Sequence, residues 1–152
     1  MEKVGVIHQG FLSEDELSQI PGMPSEERIK KGPVACIECA QEIPCNPCEE
    51  ACPYGAITNL PKLDEDKCIG CGSCIAACPG LAIFVVNGAK EWAEVSFPFE
   101  HYPLPNKGDE VDCVDRAGNT VVKGKVIRII KPPKYDATAV ITVEVPTEYI
   151  KT

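Results

Sequence analysis

The sequence predicts an α+β protein: a cysteine-rich lobe with an internal pseudo-two-fold repeat, followed by a small antiparallel β-barrel-like domain. Three observations predict it. Nine of the ten cysteines fall between residues 36 and 78. Cys-Pro is followed by an Ala-Ile pair twice, at Ala56-Ile57 and at Ala82-Ile83, each pair placed to start a strand. Beyond residue 82 cysteine almost vanishes, and β-forming runs alternate with turn signals. The expected division is an N-terminal arm (1–35), the cysteine-rich lobe (36–86) and the β-rich docking domain (87–152).

The arm has too little apolar surface for a core of its own. Lys3 to His8 reads as a short strand. Ser13 and Glu16 fit a capping box for a turn or two of helix through Ile20. Pro21, Gly22 and Pro24 stop it, and Ser25 to Lys31 makes another short helix before Gly32-Pro33. Two uses fit the arm: packing on the cysteine-rich lobe, or docking on a partner.

In the lobe, Cys68 to Pro79 reads C-I-G-C-G-S-C-I-A-A-C-P. Its thiols, Cys68, Cys71, Cys74 and Cys78, follow the x2, x2, x3 spacing that puts three cysteines on one 4Fe–4S cubane and the fourth on another. Gly70, Gly72 and Ser73 let the backbone wrap tightly, and Pro79 turns the chain away. Upstream, residues 36–53 read C-I-E-C-A-Q-E-I-P-C-N-P-C-E-E-A-C-P. Cys45, Cys48, Cys52 and Pro53 keep the later spacings, while Glu42 stands where a first cysteine belongs.

Together the two copies resemble the dicluster bacterial ferredoxins over residues 36–86. That resemblance implies crossed ligation. Cys52 would join Cys68, Cys71 and Cys74 on one cluster, and Cys78 would cross to the other with three cysteines of the first copy. Two registers are open for those three. Cys39, Cys45 and Cys48 keep the x2-C-x3-C-P ending and are preferred. Cys36, Cys39 and Cys48 would match longer-loop variants from electron-transfer subunits. The altered loop changes hydrogen bonding and burial around sulfur, so the two clusters should differ in potential. Short helical turns are expected over 48–53 and 74–79, with a strand around Leu63.

The β-rich segment offers strands at Ile83–Val86, Ala93–Phe99, Glu110–Asp115, Thr120–Ile130 and Ala137–Val145. A hairpin is expected around Ala117-Gly118-Asn119, and Gly124 suggests a bulge or bend. At this size the domain folds only marginally alone and should lean on a neighbour. Cys113 reads as a small buried hydrophobe, His101 as a surface or interface residue, and Trp92 and Tyr102 as barrel or interface packing.

Composition narrows the function. The net charge of −8 argues against nucleic acid. No charged-then-apolar leader opens the chain and no apolar run reaches membrane-spanning length, so a reducing cytoplasmic setting is expected. There the thiols serve metal rather than disulfides, and two overlapping three-thiol loops suit zinc poorly. The lobe carries two basic residues against seven acidic ones, a surface that would steer a basic partner. No G-x-G-x-x-G and no P-loop is present, so no nucleotide or flavin site is read in this chain.

The expected role is electron transfer, not catalysis, with two 4Fe–4S clusters as cofactors. The stretch G-P-V-A-C-I-E-C-A-Q-E-I-P-C-N-P-C is similar to small iron–sulfur subunits that accompany FAD-dependent dehydrogenases of the hydroxyproline or sarcosine type. It implies flavin-containing partner subunits carrying FAD, with FMN as a further candidate, in a hetero-oligomer. Two other readings stay open: a free, diffusible dicluster ferredoxin with a β-extension, and a metal-stabilised interaction module.

Overall fold

A computed structural model describes residues 9–39, 44–58 and 61–152. The expected strand from Lys3 to His8, and Glu42, lie outside the described residues. Helices are short: α1 (Glu14–Leu17), α2 (Glu26–Lys31), α3 (Pro47–Ala51) and α4 (Ser73–Ala77). Among the described residues eight strands follow in chain order as β1 (Val34–Ile37), β2 (Ile57–Thr58), β3 (Lys62–Leu63), β4 (Ile83–Asn87), β5 (Trp92–Phe99), β6 (Glu110–Val114), β7 (Thr120–Ile130) and β8 (Ala139–Pro146). β2 and β3 form a small hairpin, and the other six make one antiparallel sheet in the order β1-β4-β5-β8-β7-β6.

That sheet is open where the sequence suggested a barrel-like domain. Among the described residues its two edges, β1 and β6, do not pair, so no closed barrel forms. The reason lies at β4, which pairs β1 on one side through Val34↔Val86 and β5 on the other through Val86↔Val95. The β-rich segment therefore extends the sheet of the cysteine-rich lobe instead of closing on itself. The expected boundary after residue 86 falls inside β4. Buried Val140 of β8 shares a core with Ile37, Ile75 and Ile83 of the lobe. A second core, on Ala93, Val126, Ile141, Val143 and Val145, lies further along the sheet.

The arm packs on the lobe. Ser13 caps α1 and Glu16 closes the capping box, while Leu12, Leu17 and Ile20 bury one another. Pro21 and Gly22 then accept backbone hydrogen bonds from Leu63 (3.1 Å) and Ile37 (2.9 Å). A side chain at Gly22 would run into Ile37, whose Cβ would lie 2.7 Å away, so only glycine lets the arm approach β1 this closely.

The hairpin of β6 and β7 turns at Asp115–Asn119, where the Asp115 carboxylate accepts from the amides of Ala117 and Asn119, both at 2.9 Å. Gly124, expected at a bulge or bend, also has a packing reason. A Cβ there would lie 2.7 Å from the Cys113 sulfur and 3.1 Å from the Glu144 carbonyl, so close packing excludes it. Register shifts flank it on both sides, one opposite Cys113 and Val114 and one between Val126 and Arg128. Cys113 is half-buried against that core, whereas Trp92 and Tyr102 are exposed and pack in no core.

Candidate metal centre

The two halves of the lobe repeat in detail. α3 ends at Cys52 with φ −81 and ψ 109; α4 ends at Cys78 with φ −75 and ψ 113. Each cysteine is followed by proline, and three residues on the backbone turns left-handed, at Gly55 (φ 61) and Leu81 (φ 52). That turn swings the next amide back onto sulfur. Ala56 N–H donates to Cys52 Sγ at 3.3 Å, and Ala82 N–H donates to Cys78 Sγ at 3.5 Å. β2 and β4 then begin at Ile57 and Ile83.

Between these elements lie two clefts lined by thiols. The first, of about 320 Å³, is bounded by Cys52, Cys68, Cys71 and Cys74, with Ala35, Ile57 and Val85 among its apolar walls. The second, of about 340 Å³, is bounded by Cys39, Cys45, Cys48 and Cys78, with Pro47, Pro61 and Ile83. In each, three thiols come from one copy of the motif and the fourth from the other. Cys36 lines neither. It is buried in β1 opposite Phe84, one residue along from Ala35 and so on the other face of the strand.

Electrostatics groups the thiols in the same way. Burial pushes the Cys74 thiol up to about 12, and Cys68, Cys71 and Cys52 add to the rise. Burial also raises Cys48, with Cys78 and Cys45 contributing. A bound cation reverses that rise and deprotonates the thiols that hold it. Among the described residues no three metal-binding groups converge closely enough to hold a single ion. Thiolates around one zinc lie within about 4 Å of each other, while a cubane holds its four ligands further apart. The all-sulfur donor set, the apolar walls and the amides aimed at sulfur fit iron–sulfur clusters.

The cleft around Cys68 is reinforced from outside the motif. Ala35 N–H donates to Cys68 Sγ at 3.4 Å. Gly70 (φ 69) lies so close to Pro33 that a Cβ would come within 2.5 Å of Pro33 Cβ. Arg28 of the arm donates to the Cys68 carbonyl at 2.6 Å. On the other side, Arg116 from the β6–β7 turn pairs with Glu38, the neighbour of Cys39, and donates to the Thr152 carbonyl at 2.9 Å. Sequence reading missed both arginines, because each contact spans dozens of residues. The amide donors Ala56 and Ala82 were within reach: the repeated spacing after Cys-Pro marks them. His101 is exposed and stands edge-on to Phe99 at 5.6 Å, away from both clefts.

Fold and site together define an iron–sulfur protein that carries electrons. The comparisons agree: residues 61–84 match the 4Fe-4S binding domain family, and the chain carries a 4Fe–4S ferredoxin module. An uncharacterized ferredoxin of Methanocaldococcus jannaschii is 40% identical over 68 residues, covering 41% of this chain and 42% of the relative. The polyferredoxin-like subunit of an aliphatic sulfonate oxidoreductase of Pyrococcus furiosus is 42% identical over 53 residues, or 32% of this chain and 28% of that protein. The β subunit of a dissimilatory-type sulfite reductase of Archaeoglobus fulgidus is 32% identical over 85 residues, 53% of this chain and 20% of the subunit. The chain thus spans less than half the length of these relatives. No solved structure matches it. Among the described residues no helix is long and apolar enough to cross a membrane.

Proposed function

We propose that this chain is the electron-transfer subunit of a larger oxidoreductase and holds two 4Fe–4S clusters. Cys52, Cys68, Cys71 and Cys74 bind one; Cys39, Cys45, Cys48 and Cys78 bind the other. The observation that carries this reading is the sorting of eight thiols into two neighbouring clefts of four, each drawing on both motif copies. Bound there, the clusters supply reversible one-electron chemistry. The protein's part is to hold the thiolates, aim amides at sulfur and exclude water with apolar walls.

The subunit reading draws support from relatives that are themselves named as subunits of an oxidoreductase and a reductase. The flavin-bearing dehydrogenase partner, carrying FAD with FMN as a further candidate, rests on the local resemblance of residues 32–48. Exchange with a partner fits the first cleft best, because Cys71 is exposed there beside exposed Ile69 and Tyr54. Free cysteines throughout the described residues suit a reducing cytoplasm.

Anaerobic purification with iron analysis tests the assignment. About eight irons per chain, four for each cubane, are expected. Cys36→Ser should keep them all, and Cys45→Ser should lose about half. Zinc in place of iron, or four irons in the wild type, would sink the two-cluster reading. Native size-exclusion separates the partnered form from a free carrier: co-elution with a flavoprotein supports a subunit, whereas a lone 16.4 kDa species favours a diffusible ferredoxin.

A further inference from the structure

Arg28 lies on α2, outside every cysteine motif. Its guanidinium donates to four backbone carbonyls: Glu65 at 2.9 Å, Gly32 at 3.1 Å, Pro33 at 2.9 Å and Cys68 at 2.6 Å. Arginine presents five N–H donors in a rigid fork, so most of its capacity is spent on main chain here. The neighbouring Glu65 carboxylate is taken instead by Ser25, whose amide donates at 2.6 Å and hydroxyl at 2.9 Å.

The four carbonyls belong to two segments. Gly32 and Pro33 lead into β1; Glu65 and Cys68 open the loop of the first cleft. Arg28 ties one to the other at the junction where Ala35 N–H meets Cys68 Sγ at 3.4 Å. It therefore fixes that contact and leaves a positive charge bonded to the carbonyl of a cluster-binding cysteine. Reduction adds negative charge to a cluster. A fixed cation nearby and an amide donated to sulfur both favour the reduced form.

We propose that Arg28 is a positioning residue for the cluster of the Cys52, Cys68, Cys71 and Cys74 cleft: it clamps the Ala35–Cys68 contact, places a fixed charge beside that loop, and so raises the reduction potential of this cluster and not of the other. The proposal rests on the two-cluster reading. It gives the N-terminal arm a task that a minimal ferredoxin module, without the arm, performs otherwise or not at all.

The test is an EPR-monitored redox titration of the full chain, wild type against Arg28→Met and Arg28→Lys, with iron counted first. Cys71→Ser, at an exposed ligand of the first cleft, identifies the wave belonging to that cluster. In Arg28→Met that wave is expected to move to lower potential while the other stays. Arg28→Lys keeps the charge but not the fork, and should move the same wave by less. If Arg28→Met loses iron, Arg28→Lys decides. Loss of the first-cleft cluster alone in both variants, the other titrating as in wild type, also supports a local clamp. Unmoved waves at full iron content, equal movement of both waves, or loss of both clusters would overturn the proposal. A wild type without two clusters is recognised before any variant is compared and defeats the parent reading instead.

Discussion

Cys36 and Leu81 show how much one side chain's surroundings decide. Cys36 belongs to the cysteine run by sequence, but burial pushes its thiol up to about 12 from an ordinary 9.0, with Glu38 adding to the rise and Lys151 and Arg116 opposing it. Between those two values the folded thiol keeps a proton that the unfolded chain has released. The unfolded state then binds fewer protons, so stability falls as pH rises. Cys36→Ala should remove this alkaline loss; melting midpoints of both proteins at about pH 8 and about pH 10.5 check it, and parallel declines would refute it. Leu81 occupies the left-handed turn that Gly55 takes in the other half, at φ 52. A non-glycine residue there costs about 1–2 kcal/mol, part of which glycine's extra chain entropy offsets. Leu81→Gly should therefore stabilise by roughly 0.5–1 kcal/mol, read from thermal melting. The cysteine runs that line the clefts were legible because their spacing is local, though spacing alone left Cys36 and Cys45 as alternatives. Arg28 was not, since nothing near residue 28 announces a partner at Cys68.

At the scale of elements, the sequence was most informative where a turn or cap carries a local signature. The strands of the β-rich segment fall within a residue or two of their expected bounds, because Gly-Asn, Asn-Gly and Pro-Pro pairs punctuate them. The capping box at Ser13 and the helical turns before Cys52 and Cys78 were legible for the same reason. Where the arm goes was not, since docking on the lobe and docking on a partner leave the same composition. Contacts decide it, and α2 concentrates them. Ser25 caps α2 by accepting from the Arg28 amide at 3.2 Å and also holds the Glu65 carboxylate. The bonds from Ser25 keep that carboxyl below its ordinary 4.5. Ser25→Ala removes the cap and the hydroxyl donor together and should cost about 1–2 kcal/mol. Hydrogen exchange should quicken at the α2 amides while β8 keeps its protection; unchanged α2 exchange would show that the arm is held elsewhere.

For the whole molecule, the decisive feature is a sheet that does not stop where the cysteines do. Binary pattern and turn spacing describe each strand but not which strand lies beside β4, and small antiparallel strands suit a closed barrel or an extended sheet equally. The choice falls to β4, whose Val85 and Val86 are buried between β1 and β5. It is reinforced by Val140 of β8, which belongs to the core that also lines the clefts. The β-rich segment is thus part of the scaffold that holds the thiols, and Arg116 secures it to Glu38 from the far hairpin. A chain ending after Gly88 would expose the outer edge of β4 and strip Val140 from the core. Such edges invite pairing with other chains, and loss of a buried valine-sized contact costs about 1.5–3 kcal/mol. The truncated protein should aggregate or bind less iron than the full chain under the same reconstitution. Should it instead stay monomeric with full iron and an unchanged EPR spectrum, the sheet beyond β4 would be an accessory to the clusters and not their support.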